Sequence, residues 1–125
     1  EMNQVLRIFF ADDSEYMETN SIDGGSRNDV LVQIKDQLYH PSFYDIFSLK
    51  QDFERAIAKN QVYEIDNTII LVKEVSKKEI IRAVISLYES KFFDKVKPID
   101  LKEEFKDSFI LFPELQTLSG WKQVY

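Results

Sequence analysis

The stretch from Thr68 to Phe93, TIILVKEVSKKEIIRAVISLYESKFF, decides the fold class. It opens on a continuous apolar run, Ile69 to Val72, which is typical of a strand covered on both faces and therefore central in a sheet. Ser76 to Glu79 then form a capping box, in which the serine side chain accepts from a free amide at a helix start. Apolar residues recur at helical spacing to about Phe93, so this helix is expected to pack on the sheet.

A hairpin and a second helix are expected immediately upstream. Val62 to Ile65 reads as a strand that turns at Asp66-Asn67 and returns through Thr68 to Val75, because Asp and Asn both suit a tight turn. Before it, Ser48 to Gln51 is a further capping box, and Asn60 suits a left-handed position at the helix end. The expected apolar stripe of this helix is Leu49, Phe53, Ala56 and Ile57.

The N-terminal part divides into a strand and a polar stretch. Val5 to Phe10 is rich in β-formers and predicts an early strand. Asp12 to Asn28 contains Gly24-Gly25-Ser26 and is interpreted as a long acidic loop, residues 12–28. The spacing of Val30, Ile34 and Leu38 favours a helix after it, with a strand over Val30 to Ile34 as the alternative.

Pro98 ends the central helical region, and Asp100 is expected to cap a short helix to about Asp107. Phe109 to Phe112 predicts a last strand, and the tail with Trp121 is ambiguous. Helices and strands do not alternate regularly, so we expect one α+β domain spanning residues 1–125. Its sheet would be mixed or antiparallel and packed by two to three helices.

Several kinds of chemistry are excluded by composition. The chain has no cysteine, which removes disulfides, thiolate catalysis and Cys-based metal sites. Its one histidine, His40, precedes Pro41 at a turn and is interpreted as an incidental loop residue. The three glycines do not form a phosphate-binding loop, and the carboxylates do not match a calcium-loop pattern. We expect no metal site, no catalytic residue and no cofactor.

Charge is distributed unevenly along the chain. The net charge of −6 disfavours nucleic acid and anionic membranes as partners. Residues 1–29 carry seven acids and two bases, whereas residues 73–97 carry seven bases and four acids. No apolar run approaches a membrane span and no signal peptide is visible, so a cytoplasmic location is expected.

The acidic N-terminal part is the main indication of function. Acids on a long loop, backed by aromatic side chains, can present a phosphate-like surface to a basic protein and speed its association. The candidate partner-binding residues are Asp12, Asp13, Glu15, Tyr16, Glu18, Asp23, Phe43 and Tyr44.

In overall character the chain resembles small bacterial immunity proteins and antitoxins, which neutralise a secreted nuclease or other toxin. The resemblance rests on a short, acidic, cysteine-free α+β chain with a single histidine and many Lys, Ile, Asn and Phe residues. It implies a non-enzymatic protein whose partner is basic. Two alternatives stay open: a scaffold domain that dimerises through a sheet edge, and a metal-dependent carboxylate enzyme.

Overall fold

The protein is described by a computed structural model that covers residues 5–62, 68–107 and 112–125. The strands of its main sheet are β1 (Leu6–Phe10), β3 (Val30–Ile34), β4 (Gln37–Tyr39) and β7 (Lys122–Gln123). The sheet is antiparallel, and the strand order among the described residues is β4-β3-β1-β7. The two inner strands pair over their full length, Leu6 opposite Ile34 and Phe10 opposite Val30.

The strands of a second, mixed sheet are β2 (Ser26–Arg27), β5 (Ser42–Tyr44) and β6 (Ile69–Leu71). Their order in this sheet is β2-β5-β6. The helices are α1 (Glu15–Gly24), α2 (Ile46–Ala58), α3 (Lys77–Glu89) and α4 (Leu101–Glu104). Short 3₁₀ turns cover Phe92–Lys95, Pro113–Gln116 and Leu118–Gly120. The predicted α+β single-domain fold is confirmed.

Alternation along β1 and β3 builds a hydrophobic cluster on each face of the main sheet. The inner cluster lies between the two sheets and α3, and its fully buried members include Ile8, Phe10, Val32, Phe43 and Val84. The outer cluster forms on the opposite face from Phe9, Leu31 and Trp121. The described side chains packed against it are Ala11, Ile99, Leu101, Phe105, Leu115 and Leu118. The main sheet is therefore covered on both sides.

Helix α3 begins as the sequence predicts. The Ser76 hydroxyl accepts from the Glu79 amide, and Ile80 and Val84 point into the inner cluster. The helix ends at Glu89, four residues before the expected Phe93, because Lys91 adopts a left-handed conformation with φ of 65° and a 3₁₀ turn follows. The predicted cap of α4 is also confirmed, because the Asp100 carboxylate accepts from the Lys102 and Glu103 amides, but the helix ends at Glu104 rather than near Asp107.

The long acidic loop expected over residues 12–28 is wrong, because a ten-residue helix occupies most of it. Ser14 caps α1 by accepting from the Met17 amide, and Gly25 ends it with φ of 81°, a conformation that suits glycine. The helix has almost no apolar face of its own, so hydrophobic spacing gave no signal for it.

The helix expected over Val30 to Leu38 is also wrong, and its alternative, a strand over Val30–Ile34, is the observed structure. Val30 and Val32 face the inner cluster while Leu31 faces the outer cluster, so the first three positions are all apolar and the period of two is hidden there. A tight turn at Lys35-Asp36 joins β3 to β4.

Two predicted features of the region around α2 need correction. Helix α2 starts at Ile46 and is capped by Asp45 rather than Ser48, which is buried. Strand β6 pairs in parallel with β5, and its Leu71 is exposed, so it is not covered on both faces. Most of the first hairpin strand expected at residues 62–65, its turn at residues 66–67 and most of the strand expected at residues 109–112 lie outside the described residues.

The described part of the chain contains no helix that combines the length and apolarity needed to cross a membrane.

Candidate functional site

Arg27 organises the acidic N-terminal region from inside. Its side chain is 1% exposed and lies with its guanidinium carbon 4.0 Å from the centre of the Phe10 ring. It donates to Glu18 at 3.1 Å, to Asp29 at 2.8 Å and to the Asp12 carbonyl at 2.7 Å. The buried charge is therefore hydrogen-bonded on several sides, which is what makes its burial tolerable.

Two of the predicted partner-binding acids attach α1 to α3. The Glu18 carboxylate accepts from the Lys77 backbone amide, at 3.1 and 3.0 Å for its two oxygens, so it neutralises a helix start. The Asp13 carboxylate forms an ion pair of 2.9 Å with the Lys77 ammonium group. The acidic and basic segments recognised in the sequence thus meet within the molecule.

Asp12 also has a structural role. Its carboxylate accepts from the Ser14 amide at 2.9 Å, just before the first turn of α1. The pKa of Asp12 is lowered because Ser14, through its side chain and then its backbone, hydrogen-bonds the carboxylate. The lowered pKa keeps Asp12 negatively charged to a lower pH than an ordinary aspartate.

Three of the predicted residues point away from the protein. Glu15, Tyr16 and Asp23 are exposed on α1, and Tyr16 is 75% exposed. Residues 8–26 contain five acids and no base, and the next base, Arg27, is buried. We call Glu15, Tyr16 and Asp23 the α1 outer surface; its formal charges are all negative.

The two aromatic candidates on β5 have different environments. Phe43 is completely buried in the inner cluster, so its side chain is not accessible from the surface of this structure. Side chains alternate between the two faces of β5, and Phe43 lies on the inward face. The residues next to it in the sequence did not indicate which face this would be. Tyr44 is half-buried and lines a groove beneath α2, beside Leu49 and Arg55.

A cleft of about 580 Å³ opens over the outer cluster, between the start of α1 and the C-terminal 3₁₀ segment. Asp12 is the only predicted site residue among the side chains assigned to its wall. The wall also includes Asp29, His40, Phe112, Glu114, Trp121 and Lys122. These residues come from five separate parts of the chain, and sequence spacing gave no reason to group them.

His40 is held firmly in the cleft wall. Its Nε2 donates to the Asn28 carbonyl, and its Nδ1 lies 2.7 Å from the Glu104 carboxylate. Its ring packs on Phe105, which in turn packs edge-on against Trp121. Because both ring nitrogens are engaged, neither is available as a general base or metal ligand in this arrangement. His40 sits in a loop as expected, and it ties that loop to α4.

One polar atom of the cleft wall lacks a partner. Asp29 gives one carboxylate oxygen to Arg27, whereas its Oδ2 is buried and has no hydrogen bond from any described residue. A buried carboxylate oxygen without a hydrogen-bond donor is costly to the folded state.

Helix α2 carries a second exposed feature, this time apolar. Ile46 and Phe47 are each 66% exposed, and Phe53 and Ile57 are close to half exposed. We call these four residues the α2 apolar surface. Phe53 and Ile57 belong to the apolar stripe that was expected to be buried. Of that stripe, Ala56 is the residue that the structure buries.

Within the ranges that the structure describes, no group of three or more His, Asp or Glu side chains is arranged to hold a metal ion.

Comparisons with protein-family models, curated proteins and solved structures find no match.

Proposed function

We propose that this chain is a non-enzymatic cytoplasmic protein of the immunity or antitoxin type, which binds a basic toxin and covers its functional surface. The observation that carries the proposal is the α1 outer surface. Tyr16 projects from a helix whose exposed charges are acidic, with no base in the sequence from residue 8 to residue 26.

The internal contacts narrow the set of residues that would meet the partner. Glu18 is shared between Arg27 and the start of α3, Asp13 pairs with Lys77, and Asp12 bonds Ser14. These acids hold α1 in place, whereas Glu15 and Asp23 have exposed side chains to offer. Because α1 is already an ordered helix, binding through it loses less conformational entropy than binding through the expected loop would.

Each residue of the surface would contribute differently. Glu15 and Asp23 would attract a basic patch and raise the association rate, an effect that weakens with salt. Tyr16 would act as the anchor, since a tyrosine at an interface offers a large apolar ring and a hydroxyl.

The test needs the partner, which can be sought among the products of neighbouring genes and by pull-down from the native host. Glu15→Lys with Asp23→Lys should lower the association rate constant at least about tenfold at low salt, with a smaller difference at high salt. Tyr16→Ala should mainly speed dissociation, by about tenfold or more. Stopped-flow or surface-binding kinetics measure both constants.

The matched control is Glu54→Lys with Glu89→Lys, which makes the same change in net charge at exposed sites on α2 and α3. It should leave the association rate within about a factor of two. Equal slowing in both double variants would mean that only net charge matters, and unaltered binding in Glu15→Lys/Asp23→Lys would remove the α1 outer surface as the site.

The second candidate function is a structural domain that forms a homodimer. It is favoured by the α2 apolar surface, since exposed apolar residues grouped on one helix are typical of an interaction surface. Light scattering at micromolar concentration should then report a dimer that Phe47→Asp converts to a monomer. A monomeric wild-type protein would count against this function.

A further inference from the structure

The end of α1 and the start of α2 touch at one contact. The Gly25 carbonyl accepts from the Asp45 amide at 2.8 Å, so the residue that ends α1 meets the residue that caps α2. Asp23 and Phe47 are each two residues from this contact, which places their Cα atoms within about 20 Å of each other. An interface of ordinary size covers about 800 Å² on each partner, a patch wider than this separation. One partner can therefore reach both residues.

Solvent-exposed residues lead to this contact along both helices. On α1 they recur at every fourth position, in two adjacent rows that consist of Glu15, Thr19 and Asp23 and of Tyr16, Asn20 and Gly24. On α2 they begin with Ile46 and Phe47, which belong to the α2 apolar surface and are each 66% exposed. An acidic stripe on α1 thus borders an apolar pair on α2.

The two halves of the α2 apolar surface differ in charge. Residues 41–49, around Ile46 and Phe47, contain one acid, Asp45, and no base. Residues 50–59, around Phe53 and Ile57, contain three bases and two acids, and the first of these bases is one turn beyond Ile46. The first half of the surface therefore continues the negative charge of α1, whereas the second half does not.

This charge pattern disfavours a second copy of the chain as the occupant of the first half. Twofold symmetry would place the same patch of each copy against the other. Asp23 and Asp45 would then face an acidic patch, between chains that each carry a net charge of −6. Like charges brought together at an interface lower its affinity, whereas a basic partner gains from the same acids.

We propose that Ile46 and Phe47 are the apolar anchor for a basic protein that also contacts the α1 outer surface. The partner's matching surface carries an apolar side chain flanked by lysine or arginine. Its bases would lie along α1 and its apolar side chain would cover Phe47, which gives the apolar centre and charged rim of a specific interface. This inference rests on the proposed binding of a basic protein by α1, and it adds the apolar part of that site.

Two peptides of equal charge test the anchor, acetyl-Lys-Arg-Phe-Lys-amide and acetyl-Lys-Arg-Gly-Lys-amide. In ¹H–¹⁵N NMR spectra the phenylalanine peptide should shift the amide resonances of both Asp23 and Phe47 in one saturable process, with a Kd on the order of 1 mM. It should bind at least about threefold more tightly than the glycine peptide, because its ring covers apolar surface. Equal affinity of the two peptides, shifts confined to α1, or no shifts at about 20 mM would overturn the proposal.

A pair of α2 variants locates the anchor. Phe47→Ala should abolish the advantage of the phenylalanine peptide and leave the affinity of the glycine peptide unaltered. Phe53→Ala is the matched control, since Phe53 is also exposed but lies in the second half of the α2 apolar surface. It should keep the advantage. An equal loss in the two variants would place the contact elsewhere on α2 and overturn the proposal.

Two further measurements separate this inference from the proposed functions. Glu15→Lys/Asp23→Lys should weaken both peptides about equally; if it weakens neither, the attraction by α1 fails and this inference fails with it. If the attraction by α1 persists but Phe47→Ala has no effect, only the anchor is lost. A wild-type dimer in light scattering that Phe47→Asp converts to a monomer would show a second copy on Phe47 and would overturn the anchor.

Discussion

At the residue scale, Arg27 shows how one buried charge determines the local structure. The chain removes this guanidinium almost completely from water, which is costly, and offsets the cost with two carboxylates, one carbonyl and the Phe10 ring. The acids that made the N-terminal region look like a binding surface are therefore partly used inside it. Composition gives only the number of acids in a segment. Their contacts show which of them pair inside the protein and which face solvent.

Arg27→Met is expected to destabilise the protein by about 3–5 kcal/mol, because the partly buried carboxylates of Glu18 and Asp29 would be left without their positively charged partner. The free energy of unfolding, measured by urea denaturation, checks this value. Arg55→Met is the matched control: Arg55 is 65% exposed and, among the described residues, forms its ion pair with nearby Asp52, so the substitution should cost less than about 1 kcal/mol. Similar losses in the two variants would mean that the Arg27 contacts contribute no more than a surface pair.

At the element scale, the ends of helices fit closely against one another. Gly25 ends α1 with φ of 81°, and a Cβ at this position would lie 2.7 Å from the carboxylate of Asp45, the residue that caps α2. The Gly25 carbonyl also accepts from the Asp45 amide at 2.8 Å. The end of one helix and the start of the next thus share one contact.

Gly25→Ala should cost about 2 kcal/mol or more, because it combines an unfavourable backbone conformation with a clash against the α2 cap. Gly24→Ala is its control in the adjacent position: a Cβ there would meet nothing within 4 Å, and alanine favours a helix. It should be neutral or stabilising by up to about 1 kcal/mol. Thermal and urea unfolding of both variants measure the two free energies of unfolding. If Gly25→Ala is as stable as the wild type, the contact between the end of α1 and the α2 cap accommodates the added Cβ at no cost.

The same scale separates what the sequence could predict from what it could not. Helix α3, strand β1 and the cap at Asp100 were predictable because capping and periodicity are local. Helix α1 was not, since its attachment depends on Glu18 reaching Lys77, fifty-nine residues away. The cleft wall shows the same limit. Asp12 could be selected because it belongs to a group of acids that are close in sequence, whereas Trp121, His40 and Asp29 become neighbours only through the fold.

At the scale of the whole molecule, the main sheet links the two hydrophobic clusters. Within β1, Phe9 contributes to the outer cluster and Phe10 to the inner one, and Leu31 and Val32 repeat this division in β3. The C-terminal residues close the arrangement, because the Val124 amide donates to the Ile8 carbonyl at 2.8 Å. Both clusters therefore depend on the pairing of β1 with β3.

The two clusters should therefore unfold together. Trp121 fluorescence reports the outer cluster, whereas far-UV circular dichroism reports mainly the helices, including α3 on the inner cluster, so the two urea transitions should coincide within about 0.2 M. Leu115→Ala sharpens the test, because it removes packing from the outer cluster alone. In a cooperative molecule it lowers both midpoints equally. A fluorescence transition that moves while the dichroism transition stays would show that the cleft and its wall form a separate, weaker unit.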